Sequence, residues 1–392
     1  MRPPPIPSNR WINLTSALAL ALLATVPATA HAQAGARSPI ETDATNTFDA
    51  WRNIHGGLST GHALLNRFDL SVTLHGEAWG RPGLTGRLLY HRIDGDALSG
   101  DLVGDVQGVD NISASGAHRL MEAWVEQDFG DRGSVRAGLM DLNAEFDGIE
   151  PAGLFLNSSH GIGAEIAQSG RNGPSIYPTS ALGIRGELRR GAFTVRAAAF
   201  DGVPGDLDRP EALAAVDLAE DDGALIIGQA DVTGEGGLRV SMGVWRYTES
   251  FAPSETGERR SDRGAYASIE GPLAPRGGLS GWVRVGVSGP KPSAAVRQFS
   301  GGVVMDAPWA GRPHDQLGFA VTRAEFGGAP HRASGRPDAE TAFEITYRYV
   351  ANDWLSLQPN LQYVVGPGAA PGLDNAVVLG LRVTLTTDRL QE

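Results

Sequence analysis

Between Gly153 and Pro178 the chain reads GLFLNSSHGIGAEIAQSGRNGPSIYP. A serine and a histidine are adjacent at Ser159-His160, Asn157-Ser158 precedes them, and the acids Glu145, Asp147 and Glu150 lie just upstream. Serine, imidazole and carboxylate are the parts of a hydrolytic triad, which needs a base beside the nucleophile and a carboxylate to orient that base. The spacing argues against it: adjacent residues seldom face each other usefully, and no G-x-S-x-G elbow is present. Asn157, Ser158 and Ser159 read better as turn residues that bond their own backbone. Gly161, Gly163, Gly170 and Gly173 permit the tight bends of a folded loop. The nine histidines show no metal-ligand spacing, so neither a metal nor another cofactor is expected.

The elements that would carry this stretch are framed by the chain's address. Arg2 and Arg10 precede a short apolar run, Leu18 to Val26, and small-residue sites follow at Ala28-Thr29-Ala30 and Ala30-His31-Ala32. A positive n-region, a short h-region and an A-x-A site make residues 1–32 a signal peptide. The run is too short to span a bilayer as a helix, which takes roughly 20 apolar residues. Removing 1–32 takes away two arginines and no acid, moving the formal charge from -12 to -14. So acidic a chain is a poor partner for nucleic acid, where Lys and Arg must neutralise phosphates. Without cysteine, disulfides and thiolate metal sites are excluded. If the mature chain enters a membrane, it must do so as a closed β-barrel, the other structure that satisfies every backbone group in lipid.

After residue 60 the dominant period is two. Phe68, Leu70, Val72 and Leu74 alternate with polar residues, as do Leu238, Val240, Met242 and Val244. The pattern returns at Phe343, Ile345, Tyr347 and Tyr349 and at Val377 to Leu385. Weaker runs lie near 84–92, 119–129, 134–141, 181–188, 192–200, 224–232, 263–270, 279–288, 297–305, 315–324 and 354–364. With a first strand around Trp51–Leu58, about 16 strands are expected, each with one apolar and one polar face. The runs reach about 9–11 residues, the length of a tilted membrane strand. Their polar faces carry arginines and acids in mid-strand, as a watery lumen tolerates. Connections alternate between short, as at 130–133, 189–191, 234–237 and 351–353, and long, as at 94–117, 202–222, 249–262, 325–339 and 366–375. Short turns at one rim and long loops at the other are the outer-membrane pattern.

Between Asp141 and Ala181 the alternation fails, and a segment that long inside a compact domain usually has a function. The sequence GLMDLNAEFDGIEPAGLFLNSSHGIGAEIAQSGRNGPSIYPTSALGIRG (138–186) resembles the central signature of the OprB-type carbohydrate-selective porins. WLSLQPNLQYVVGPG (354–368) and NAVVLGLRV (375–383) resemble that family's C-terminal strands, and NIHGGLSTG (53–61) its opening. The resemblance implies an all-β transmembrane barrel of 16 strands in the outer membrane of a Gram-negative bacterium, passing small sugars, with a constriction loop at 142–180. The full division is 1–32 leader, 33–50 periplasmic segment, 51–386 barrel and 387–392 tail. The tail, Thr387 to Glu392, stands where such barrels often end on an aromatic residue that helps the barrel-assembly machinery recognise them. Partners expected are small carbohydrates, outer-membrane lipid and that machinery, with a homo-oligomer left open.

Strand parity points Arg136, Arg185, Arg196, Arg239, Arg284 and Arg382 inward, together with Trp124, Glu126, Trp245, Trp282 and Trp354. Glu145, Asp147 and Glu150, with Asn157 to His160 and Arg171, would face them from a loop folded inside. Opposed fixed charges hold water and polar solutes across a narrow channel. Guanidinium groups could also simply brace the loop by ion pairs. The tryptophans offer a face on which a sugar ring stacks, or pack against the loop. Tyr90, Phe129, Tyr347, Tyr349 and Tyr363 fall on the lipid side as aromatic girdles, and Pro359 there should mark a bulge or a strained ladder position. The expected activity is passive, carbohydrate-selective diffusion and not enzymatic. A general diffusion porin and a non-conducting adhesin barrel are the alternatives.

Overall fold

The computed structural model describes residues 38–392 apart from 207–208, 210–211, 215, 252–259, 275–277, 290–294, 328–338, 389 and 391–392. The expected leader lies outside the described residues. From Ile40 onward the chain is a sequence of antiparallel strands that closes on itself. They are β1 (Ile40–His55), β2 (Gly61–His75), β3 (Leu84–Gly95), β4 (Ala117–Asp128), β5 (Gly133–Met140), β6 (Ala181–Arg190), β7 (Phe193–Asp201) and β8 (Ala224–Thr233). Then follow β9 (Arg239–Phe251), β10 (Arg260–Pro272), β11 (Leu279–Ser288), β12 (Ala295–Asp306), β13 (Gln316–Phe326), β14 (Ala339–Asn352), β15 (Leu355–Val365) and β16 (Ala376–Thr386). Each pairs with its sequence neighbours, and β1 closes against β16. Closure removes the sheet edges that lipid could not satisfy.

One expectation changes, and one is narrowed to the second of its alternatives. The segment expected to be periplasmic, 33–50, is strand from Ile40 onward. The polar stretch IETDATN has no apolar face to betray it, yet it pairs with β2, and β16 joins from Thr45. Pro359 interrupts the β14–β15 ladder without a bulge, since Thr346↔Asn360 and Tyr349↔Leu357 keep one register across it. At the other end the tail bonds back onto the barrel: Thr387 exchanges hydrogen bonds with Ala44, and the Leu390 N–H donates to Asp353.

The outer face is apolar, with Val283, Val285 and Val287 on β11 and Leu379 and Leu381 on β16 exposed. Phe129, Tyr347 and Tyr349 lie toward the short-turn rim, where the Tyr347 hydroxyl bonds Asp315 and Arg312 stacks on Tyr349. Tyr90 and Tyr363 lie toward the long-loop rim, bonded to His118 and Asn375.

On the inner face large rings lie over glycines across the ladder. Trp51 lies over Gly380, Phe200 over Gly183, Tyr266 over Gly243, Trp245 over Gly264 and Trp282 over Gly302. A Cβ on any of these glycines would meet the ring at under 3.0 Å. The missing side chain lets the ring lie along the wall, the arrangement by which an aromatic neighbour covers a strand glycine. The lumen thereby keeps room for the inward loops. We expect Gly380→Ala to lift Trp51 from the wall at a cost of about 1–3 kcal/mol, the range for overpacking. Gly186→Ala, where an added Cβ meets nothing within 4 Å, should be neutral. The temperature at which the barrel loses its compact mobility on a detergent gel measures both.

Candidate pore-lining site

Among the described residues two connections, not one, fold into the lumen. The expected loop, 142–180, buries Phe146, Ile162 and Ile166 against Phe200, Ile227, Trp245, Tyr247 and Tyr266 of the wall. Its Ile149, Leu154 and Phe155 meet Trp282, Val304 and Ala320. The β3–β4 connection, 96–116, buries Leu98, Val103, Val109 and Ile112 against Trp51, Leu65, Val364 and Val378. The loops also bond each other, Ser158 N–H to the Gly108 carbonyl at 2.8 Å. The signal for this second loop was its apolar residues, placed in a connection that would otherwise sit in water.

A loop inside a barrel cannot bond all its backbone to itself, and an unpaired buried N–H is costly. Inward carboxylates and amides of the wall supply the partners. Glu344 accepts from the N–H groups of Leu156 and Asn157 at 2.7 and 3.0 Å. Glu340 accepts from Val106 and Gln107 at 2.9 and 3.0 Å and from Gly368 at 2.6 Å. Glu270 takes the N–H of Glu150, Gln229 that of Asp147 and Gln298 that of Ala164. Within the loop the Asn157 side chain caps a single helical turn, Ser158–Gly161, by accepting from the Ser159 N–H.

Charge completes the attachment. Arg284 is fully buried and grips both oxygens of Asp147 at 2.7 Å, with Glu165 at 2.6 Å. Arg382 grips Asp49 and reaches Asn111 of the 96–116 loop at 2.8 Å. Beside it, the Trp51 indole N–H donates to Asp110 at 2.5 Å. Burial, reinforced by the neighbouring Asp49 charge, pushes the Asp110 carboxyl up to about 8. The expectation that Arg284 and Arg382 line the pore is therefore corrected: both are locked in ion pairs that hold loops.

Between the near half of the 142–180 loop and the wall of β4–β9 lies a polar cavity of about 670 Å³. Five arginines border it, Arg136, Arg185, Arg189, Arg196 and Arg239, with five acids, Glu126, Asp128, Glu145, Glu150 and Glu187. Arg136 and Arg185 share Glu126 and Glu145, at 2.5 to 2.8 Å. Arg196 bridges Glu187 and Asp231, and Arg189 joins Glu187 to Asp128. Arg239 pairs with Glu270 and donates to the Gly148 carbonyl of the loop. Asp128 and Arg189 end their strands at the short-turn rim, so the cavity lies on that side of the loop. Asp128, Glu187 and Arg189 were not singled out by sequence, although their parity is inward.

The other expected site residues are placed elsewhere. Trp124 is covered by Arg136, whose guanidinium stands 3.7 Å from its ring, and Trp245 and Trp282 are buried against the loop. None of these three offers a face for a sugar, and Trp354 sits exposed in the short β14–β15 turn. Arg171 lies near Asp221 and Asp222, at 3.9 and 4.0 Å, away from the cavity. The Ser159 hydroxyl donates to the Gln107 carbonyl, while the His160 ring packs between Phe155 and Trp282. Burial drives the His160 imidazole down to about 3, so it stays neutral. Nucleophile and base are thus not assembled.

Arg284→Met should cost about 3–5 kcal/mol by leaving Asp147 and Glu165 buried and unpaired. Arg189→Met, at the half-exposed rim, should cost about 1 kcal/mol or less. Thermal unfolding of the two variants distinguishes them. Asp110, with its carboxyl raised in the folded state, binds a proton on folding between its ordinary 3.8 and about 8. Stability should therefore fall as pH rises across that window, and Asp110→Asn should flatten the fall. Unfolding followed from pH 4 to 9 measures the slope.

Comparison with known proteins agrees with this fold. The family model described as carbohydrate-selective porin, OprB family, matches residues 61–386. Porin B of Pseudomonas aeruginosa is 30% identical over 100 residues, a match spanning 21% of this chain and 22% of that protein. The high-pH structure of Pseudomonas putida OprB superposes with a TM-score of 0.74 at 20% identity, covering 89% of this chain and 94% of that one. The outer membrane channel DcaP of Acinetobacter baumannii superposes with a TM-score of 0.57 at 10% identity, covering 91% and 98%. The chain is an outer-membrane β-barrel of a Gram-negative bacterium and belongs to the carbohydrate-selective porin, OprB family.

Proposed function

We propose that the cavity beneath the 142–180 loop is the selective segment of a passive channel for neutral mono- and small oligosaccharides. The observation that carries this reading is its lining, in which five guanidinium groups interleave with five carboxylates. Equal numbers of the two charges give little net preference for either ion. Guanidinium forks donate in pairs and carboxylates accept in pairs, a pattern that suits vicinal hydroxyls. Arg196 commits its Nε and one terminal nitrogen to acids, so further donors face the cavity. Binding must stay weak enough for exit, which keeps selectivity modest. The chain is exported with 1–32 removed and inserted by the barrel-assembly machinery.

Planar-bilayer recording tests the reading. Stepwise conductance reduced by sugar at millimolar concentration supports it. Conductance indifferent to sugar favours a general diffusion porin, and no conductance at all sinks both. Arg196→Gln should weaken sugar block about tenfold, the worth of one charge-assisted hydrogen bond, while leaving ion conductance within about twofold.

A further inference from the structure

On the lipid side of β9 and β10 two arginines stand directly opposite each other. Arg246 and Arg263 are register partners, and both side chains are exposed. Like charges so placed repel. Among the described residues neither guanidinium has a carboxylate within ion-pair distance; their flanking ladder neighbours are Ile226 and Gly289. From Arg263 to Pro272 at the short-turn end, β10 rises about 23 Å along the membrane normal at a 40° tilt. The apolar band of such barrels is about 25 Å tall, so the pair stands at its outer boundary, on the long-loop side.

Below the pair the surface is grooved. Ala265 and Ala267 on β10 form the floor between two ridges, Met242 and Val244 on β9 and Val285 and Val287 on β11. Ridge residues are half to two-thirds exposed, while both alanines are partly covered. A second trough runs over Gly228 and Ala197 on the other side of β9. The groove reaching the arginines encloses about 620 Å³. Ridges two strands apart are separated by about 9.5 Å, room for one acyl chain.

We propose that this face holds the phosphorylated, acylated glycolipid of the outer leaflet, lipid A, with a phosphate between Arg246 and Arg263 and acyl chains in the troughs. A phosphate removes the repulsion between the guanidinium groups and accepts from both. The apolar troughs lead inward from that point, as an outer-leaflet chain does. A purely apolar partner surface would leave two cations unmatched at its edge.

Native mass spectrometry of the folded chain with bis-phosphorylated lipid A tests this. The wild type should retain one lipid A per barrel, and Arg246→Gln with Arg263→Gln should weaken retention at least about tenfold. Ala267→Leu, which fills the trough and leaves both charges, should also weaken it, and dephosphorylated lipid A should bind wild type and double variant alike. Compact gel mobility of every variant confirms folding. Equal retention by the double variant, or phosphatidylglycerol held as tightly as lipid A, overturns the proposal. So does a change of oligomeric mass without a change in lipid binding, which would mean a second copy covers this face.

Discussion

The interaction on which the rest depends is the one between wall carboxylates and the backbone N–H groups of the inward loops. A closed barrel satisfies its own backbone, but a segment threaded through its lumen has no ladder to join. Glu340 and Glu344 on β14 each take successive N–H groups of a different loop, Val106 and Gln107 in one case and Leu156 and Asn157 in the other. One strand thus anchors both loops, with acceptors two inward steps apart. Without these anchors the apolar residues of the loops would have no fixed site to fill. The Arg284–Asp147 pair adds charge to the same attachment, while Arg382–Asp49 joins two wall strands beside the 96–116 loop.

The same economy of space governs the rings. A narrow lumen with two loops inside has no volume for indole groups standing off the wall, and the cross-strand glycines remove that conflict. Of the tryptophans suited to stack on sugar, Trp124, Trp245 and Trp282 are packed in the loop's apolar clusters instead. Recognition passes to the arginines and acids of β4–β9, where the loop leaves a polar cavity open. Inward arginines therefore divide into two groups. Arg284 is sealed against loop acids and Arg382 is held by Asp49 and Asn111, whereas Arg189 and Arg196 retain contact with the cavity. Arg136, Arg185 and Arg239 do both, since each touches the loop and borders the cavity.

Alternation alone determined most of the strands, their number to within about two, and which strand side chains face inward, because successive Cβ atoms of a strand must point to opposite faces. It failed for the first half of β1, where Glu41, Thr42, Asp43 and Thr45 put polar groups on both faces and left no contrast to read. The inward parity of Arg284 and Arg196 was equally legible in the sequence, and nothing local distinguished them. Their different fates are set by what stands opposite: Asp147 and Glu165 of a loop more than a hundred residues away for one, open cavity for the other. Ser159-His160 shows the same limit, since only the packing of His160 on Phe155 and Trp282 shows the pair to be interior filling. Face is a property of the backbone's own period, so the sequence by itself determined it. Depth and partner belong to the paths of two loops and the register of distant strands, and those were decided by tertiary structure alone.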